Sequence, residues 1–154
     1  EIATATSSGW DTIEFQFAPN VGEPARPLRA IASSGEMSRV MLALKTALAL
    51  QDAIPLLVFD EIDANVGGET AGVVGEKMRQ IAEQHQVICI THLPAVAASA
   101  SAHYLVRKEV SDGRTISKIE LLEPSERVAE ISRMFGGQSE VARQHAKALL
   151  GLKH

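Results

Sequence analysis

The seven residues Pro55 to Glu61, PLLVFDE, constrain this chain more than any others. Leu56, Leu57, Val58 and Phe59 form an unbroken apolar run behind a proline. That is the pattern of a strand covered on both faces, as strands of parallel sheets are. The run stops at Asp60 and Glu61. At the carboxyl edge of an open α/β sheet, where ligands of such folds bind, two adjacent carboxylates gain a chemical use. One can hold Mg²⁺ through its waters, and the other can orient or deprotonate an attacking water. The same pattern also arises where solvated acids merely cap a loop.

The rest of the chain supplies what a parallel strand needs. Met37, Val40, Met41, Leu44 and Leu48 recur at helical spacing from Glu36 to about Gln51, with Ser33 or Ser34 available as the cap. A second helix is expected from about Glu69 to Glu83, followed by another apolar strand in QVICIT. Strand, helix, strand with apolar strands is a βαβ unit. Beyond it, LPAVAASA reads as a short helix. HYLVRKEV and TISKIELL read as a hairpin around Asp112 and Gly113, and two helices are expected between about Ser125 and Leu150. Upstream, Ile13, Phe15 and Phe17 alternate with polar residues in TIEFQFA, a half-buried strand. PNVGEPARP reads as an exposed turn, and LRAIA as a second short strand. The expected fold class is therefore α/β: a parallel-stranded core flanked by helices, with a small antiparallel β portion, forming one unit over residues 1–154.

Composition narrows the function classes. The 154 residues fit one domain, and 45% hydrophobic with 22% charged is ordinary for a folded soluble chain. The net charge is −4 and the 15 Lys and Arg are spread along the chain, so no basic tract argues for direct nucleic-acid binding. The single cysteine, Cys89, has no intrachain disulfide partner and reads as a buried, inert thiol in a reducing compartment. No apolar stretch is long enough to span a bilayer, and no signal sequence opens the chain, which argues for a soluble intracellular protein. The start at Glu1 without a methionine reads as a segment of a longer protein. No internal repeat and no sustained heptad is present, so any coiled coil lies outside this chain.

Two further elements resemble parts of a nucleotide site. In ASSGEMSR, Ser33, Ser34 and Gly35 precede a long helix and offer N–H groups and hydroxyls at the positive end of its dipole, although an ordinary N-cap explains them equally. In ICITH, the second apolar strand ends at Thr91 and His92, and a histidine at that edge can donate to a phosphate or hold the attacking water. His85, His103, His145 and His154 lack such a context. Taken singly each element has a bland explanation. Together, the serine turn, the acid-ended strand, the small-residue loop IDANVGG and the ITH strand end follow the order used by ABC-type ATPases.

GWDTIEFQFAPNVGEP, SSGEMSRVMLALKTALA, LLVFDEIDANVGGETA, VICITHLPAVAASASAHYLVRKE and RVAEISRMFGG resemble, over almost the whole chain, the carboxyl-terminal half of the ATPase head in the SMC-like branch that serves bacterial DNA double-strand-break repair. GEMSRVMLALK and ITHLPAVAA are specific to that branch. The resemblance implies that Asp60 ligates Mg²⁺ through water, that Glu61 activates the hydrolytic water and that His92 is the switch histidine. It implies that Ser33, Ser34, Gly35 and Glu36 form a signature motif touching the ATP of a second head, and that Asp63 to Gly68, with Asp63 and Asn65, form the loop that signals across a dimer. Two departures stand out: Ser34 occupies the first of two usual glycines, and Gly67 stands where many relatives carry an acid. No G-x-x-x-x-G-K-S/T loop is present, and without one, binding of the β- and γ-phosphates is weak. The implied partners are an amino-terminal lobe carrying that loop, a second head, and DNA through the whole protein, with no membrane; the implied location is the cytoplasm, at the nucleoid. Two alternatives stay open: the same lobe of a different SMC-like head, and a non-catalytic interaction module.

Overall fold

The computed structural model describes residues 7, 9–18, 20–30, 33–48, 53–111, 113–137 and 139–152. Its centre is a βαβ unit. Strand β3 (Leu56–Phe59) pairs in parallel with β4 (Gln86–Cys89), with Leu56 opposite Gln86 and Phe59 opposite Cys89. Between them runs α2 (Gly68–Ile81). Its buried residues Ala71, Val74, Gly75, Met78 and Ile81 follow the three-and-four spacing of one helix face. That face packs on Leu57 and Phe59, joined by Ile62, by Leu42 of α1 (Ser34–Ala47) and by Val96 of α3 (Pro94–Ser99).

Among the described residues the sheet is covered on one side only. Leu57 and Phe59 are buried, whereas Val58 is 60% exposed, Ile90 just beyond β4 is 59% exposed, and Leu56 and Ile88 are about half exposed. The expectation of strands covered on both faces is thus corrected within this chain. The apolar run is real, but no described element lies against its second face. Helix α1 repeats the theme. Leu42 is buried, while Met41, Leu44 and Leu48 of the expected core stripe face outward. Ser33 caps α1, its hydroxyl accepting the Glu36 N–H at 3.4 Å, so the helix starts two residues earlier than the sequence spacing suggested. The expected carboxyl end of that helix, at Gln51, lies outside the described residues.

The upstream segment departs furthest from expectation. Strand β1 is only Gln16–Phe17, paired antiparallel with β2 (Arg26–Pro27), and Leu28–Ala30 is a 3-10 turn rather than a strand. Ile13 and Phe15 of the alternating pattern stand in solvent, so no apolar burial among the described residues supports a longer strand there. Ile31 and Ala32 of the LRAIA stretch lie outside the described residues.

Downstream, the hairpin β5 (Tyr104–Ser111) and β6 (Arg114–Leu121) pairs residue for residue from Tyr104 with Leu121 to Ser111 with Arg114. Gly113 takes the left-handed turn position at φ 72°, and Asp112 lies outside the described residues. A second core joins α3 to α4 (Pro124–Met134) and α5 (Glu140–Leu149) through Ala97, Ala98, Ile131 and Ala146. Arg127 of α4 ties that helix to the end of α3. Its guanidinium donates to the carbonyls of Ala97 (3.2 Å), Ala98 (3.1 Å), Ala100 and Ser101 (3.3 Å), meeting the negative end of α3. No helix among the described residues is long and apolar enough to cross a membrane.

Two glycines of α2 test this packing against each other. A Cβ on Gly75 would lie 2.2 Å from Ser99 Oγ and 3.0 Å from Ser99 Cβ, whereas one on Gly72 would meet nothing within 4 Å. Gly72→Ala gains the helix preference of alanine alone and is expected to stabilise by up to about 1 kcal/mol. Gly75→Ala must push α3 away and is expected to destabilise by about 1–2 kcal/mol net. Urea midpoints at unchanged slope read both, and equal effects would refute the close α2–α3 approach.

Candidate functional site

The loop leaving β3 is pinned from two sides. On one side stands the first turn of α1. The Ser34 hydroxyl donates to the Glu61 carboxylate. One turn on, the Ser38 hydroxyl donates to the Asp60 carbonyl at 3.0 Å, and the Arg39 guanidinium donates to the carbonyls of Ile62 (3.2 Å) and Ala64 (2.9 Å). Gly35 makes this approach possible, because a Cβ there would sit 2.8 Å from Ala64 Cβ and 2.9 Å from the Glu61 carbonyl.

The loop itself is tightly wound. The Glu61 N–H donates to Asp60 Oδ1 at 2.9 Å, and the Ala64 N–H to the Glu61 carbonyl at 3.0 Å. Glu61 and Asn65 hold left-handed backbone angles, φ 54° and 58°. Asparagine tolerates that region, but a glutamate there is unusual and costs roughly 1 kcal/mol or more, and such outliers concentrate at functional sites.

On the other side lies the end of β4. Asp63 is 3% exposed, and its Oδ2 accepts two hydrogen bonds, from the Thr91 hydroxyl at 2.6 Å and the His92 N–H at 2.8 Å, with the His92 ring Nδ1 beside it at 3.1 Å as an ion-pair contact. Thr91 in turn accepts the Leu93 N–H at 3.0 Å. Burial pushes the Asp63 carboxyl upward, but the Thr91 hydroxyl, the His92 N–H and the nearby imidazole outweigh it, so the carboxyl sits below its ordinary value. Burial, helped by the charges of Asp63 and Asp60, pushes the Cys89 thiol up to about 12, which suits an inert side chain.

Ser34, Gly35, Asp60 and Glu61 are therefore brought into one contact group, with Ser33 and Glu36 beside it in the cap. Asp63 is drawn away from the surface and joined to His92, whose side chain is 73% exposed. Asn65 stands exposed at the outer bend. Sequence reasoning missed Ser38, Arg39 and Thr91, the residues that hold the loop. A signal existed for two of them: Ser38 and Arg39 lie four and five residues beyond Ser34, on the helix face that meets the acid-ended strand.

Among the described residues no group of three or more His, Cys, Asp and Glu side chains is gathered to cage a metal ion. The exposed carboxylate of Asp60 fits Mg²⁺ instead, because that ion keeps most of its waters and takes one or two carboxylates alongside phosphate oxygens.

No family model matches the chain. Among solved structures it superposes with a TM-score of 0.50 and 23% identity, over 77% of this chain and 70% of the other, on one described as "Structural biochemistry of ATP-driven dimerization and DNA stimulated activation of SMC ATPases". That likeness shows a shared fold. Sequence relatives are closer. The chain is 50% identical over 141 residues to "DNA repair protein RecN" of Xylella fastidiosa strain 9a5c, covering 92% of this chain and 25% of that protein. It is 43% identical over 147 residues to the RecN of Bacillus subtilis strain 168, covering 94% of this chain and 26% of that one. The chain is a relative of the C-terminal part of the RecN proteins, and spans about a quarter of the length of the curated relatives it matches.

The lowered Asp63 carboxyl sets the sign of an acid effect. A folded-state value below the unfolded one, near about 3.9, stabilises the fold above that pH, and the contribution is lost as pH falls through the lower folded value. Asp63→Asn is expected to cost about 2 kcal/mol at pH 7 and to flatten the decline in urea stability between about pH 5 and 2. An unchanged decline in the variant would show that Asp63 is not the group responsible.

Proposed function

We propose that this chain is the C-terminal lobe, residues 1–154, of an SMC-like ATPase head that completes an ATP-hydrolysing dimeric site used in DNA double-strand-break repair. The observation that carries this reading is the exposed pair Asp60 and Glu61 at the carboxyl edge of parallel β3, with His92 at the adjoining edge of β4. The similarity to RecN supports the same assignment. In this reading Asp60 holds Mg²⁺ through water, and Glu61 takes a proton from the water that attacks the γ-phosphate of ATP. His92 meets the same reacting groups. Ser33, Ser34, Gly35 and Glu36 face the nucleotide of a second head, and the loop from Asp63, with Asn65, lies at the junction between heads.

The partners are an amino-terminal lobe carrying the phosphate-binding loop, a second copy of the head, and DNA through the complete protein, which works in the cytoplasm at the nucleoid. The bare outer face of β3 and β4 supports a split head, since an apolar sheet face of that kind calls for a covering layer.

ATP hydrolysis by this chain alone and after mixing with a separately made amino-terminal lobe tests the reading. The expected result is silence alone and activity on mixing. Comparable activity from the chain alone would refute the split site, and silence in both would leave a docking module as the better account. In the complete protein Glu61→Gln is expected to slow turnover by about a hundredfold or more with ATP still bound; survival within roughly tenfold would rule it out as the base. Ser33→Arg is expected to impair ATP-dependent pairing of heads more than ATP binding by one head. The reverse pattern would remove the signature turn from the junction.

A further inference from the structure

We propose that Ser34 is a positioning residue for Glu61 of its own lobe, its hydroxyl tethering one oxygen of the Glu61 carboxylate and leaving the other for the attacking water. This rests on the ATPase reading above and changes the role of Ser34 within it. A contact with the nucleotide of a second head gives way to a contact with the acid of the same head.

A carboxylate only accepts hydrogen bonds, and a serine hydroxyl has one hydrogen to give. Ser34 gives that hydrogen to Glu61 Oε2, so toward any phosphate oxygen it presents only lone pairs, which repel. Ser33 is in the opposite state. Its oxygen accepts the Glu36 N–H as the cap of α1, and its own hydrogen goes to no described group. The adjacent serines therefore divide the work: Ser33 keeps a donor for a nucleotide arriving from outside, and Ser34 has committed its donor within the lobe.

Glu61 is held at three points. Its N–H donates to Asp60 Oδ1 at 2.9 Å, its carbonyl accepts the Ala64 N–H at 3.0 Å, and its carboxylate accepts the Ser34 hydroxyl. The first two fix the backbone at φ 54° but leave the side-chain torsions free, and only the third reaches the reacting end. No other described group bonds that carboxylate, so Oε1 stays open on an exposed residue. Holding a base in one place removes part of the entropy lost when it meets its water.

The tether is separable from the frame around it. Ser38 and Arg39 hold α1 to the loop through the carbonyls of Asp60 (3.0 Å), Ile62 (3.2 Å) and Ala64 (2.9 Å), without the Ser34 hydroxyl. Removing that hydroxyl frees the Glu61 side chain and leaves the loop in place.

Steady-state hydrolysis by the complete two-lobe protein, read beside ATP-dependent pairing of heads, tests the proposal. Ser34→Ala is expected to lower kcat about 10-fold or more, with KM for ATP and the extent of pairing each changed less than about twofold. Ser34→Thr keeps the hydroxyl and is expected to hold kcat within about threefold of the unchanged protein. Adding Ser34→Ala to Glu61→Gln is expected to cost less than about twofold more, because residues acting through one group are not additive. A full multiplicative loss in the double variant overturns the proposal, as does an unchanged kcat in Ser34→Ala. Loss of pairing in Ser34→Ala would return Ser34 to the nucleotide of the second head and overturn it equally.

On this chain alone, a double-mutant cycle in urea reads the bond itself. The loss in folding equilibrium constant from Ser34→Ala is expected to be about two- to fivefold larger with Glu61 present than in Glu61→Ala. Absence of that coupling overturns the tether whatever the hydrolysis shows. Coupling intact without any Glu61-dependent hydrolysis overturns the ATPase reading and the catalytic part of this proposal together.

Discussion

The loop that leaves β3 depends on one buried carboxylate. Removing Asp63 from water would cost several kcal/mol if it were left uncompensated, and the molecule answers with a hydroxyl and a backbone N–H on a single oxygen, with the His92 ring close beside it. Both donors belong to Thr91 and His92, which follow β4. A charge that must be satisfied therefore locks the end of one parallel strand to the end of its neighbour. The opposite side of the same loop is fastened by Ser34, Ser38 and Arg39, two of them through backbone carbonyls. Carbonyl contacts specify the path of the chain and leave side-chain identity in the loop free, which is how Asp60 and Glu61 remain at the surface.

Those contacts reach well beyond neighbours in sequence, and this explains which parts of the molecule were legible beforehand. Helix α2 was readable because Ala71, Val74, Met78 and Ile81 repeat at a helical period against a sheet that really does cover them. The strand pair β3 and β4 was readable because each run is apolar and short and is separated by a helix-length segment. Which face is covered was not readable, since Leu56 and Val58 look no different in composition from Leu57 and Phe59. The alternation of Ile13, Phe15 and Phe17 misled for the same reason: a pattern reports a capacity to be buried, and burial needs a second surface.

The site divides along the same line. The contact of the Ser33 to Glu36 turn with Asp60 and Glu61 was not legible in the sequence, whose resemblance assigns the turn to the nucleotide of a second head; it comes from the structure. The positions of Glu36 and Asn65 within that neighbourhood needed coordinates. Asp63 was the least legible. In a loop there is no periodicity to separate an inward carboxylate from an outward one, and its partners stand 28 and 29 residues away.

The described sheets each contain two strands, so every strand in them is an edge. For β5 and β6 the charged pairs Lys118 with Glu109 and Arg107 with Glu120 lie along the ribbon, the kind of side chain that discourages another strand from adding. Among the described residues no such guard stands on Leu56, Val58, Ile88 and Ile90, which join an open row of peptide groups to an aliphatic surface. Whether this segment persists as a monomer is then governed by concentration as much as by folding free energy. Its lifetime in free form is set by how soon a fitting layer reaches that surface ahead of another copy of itself.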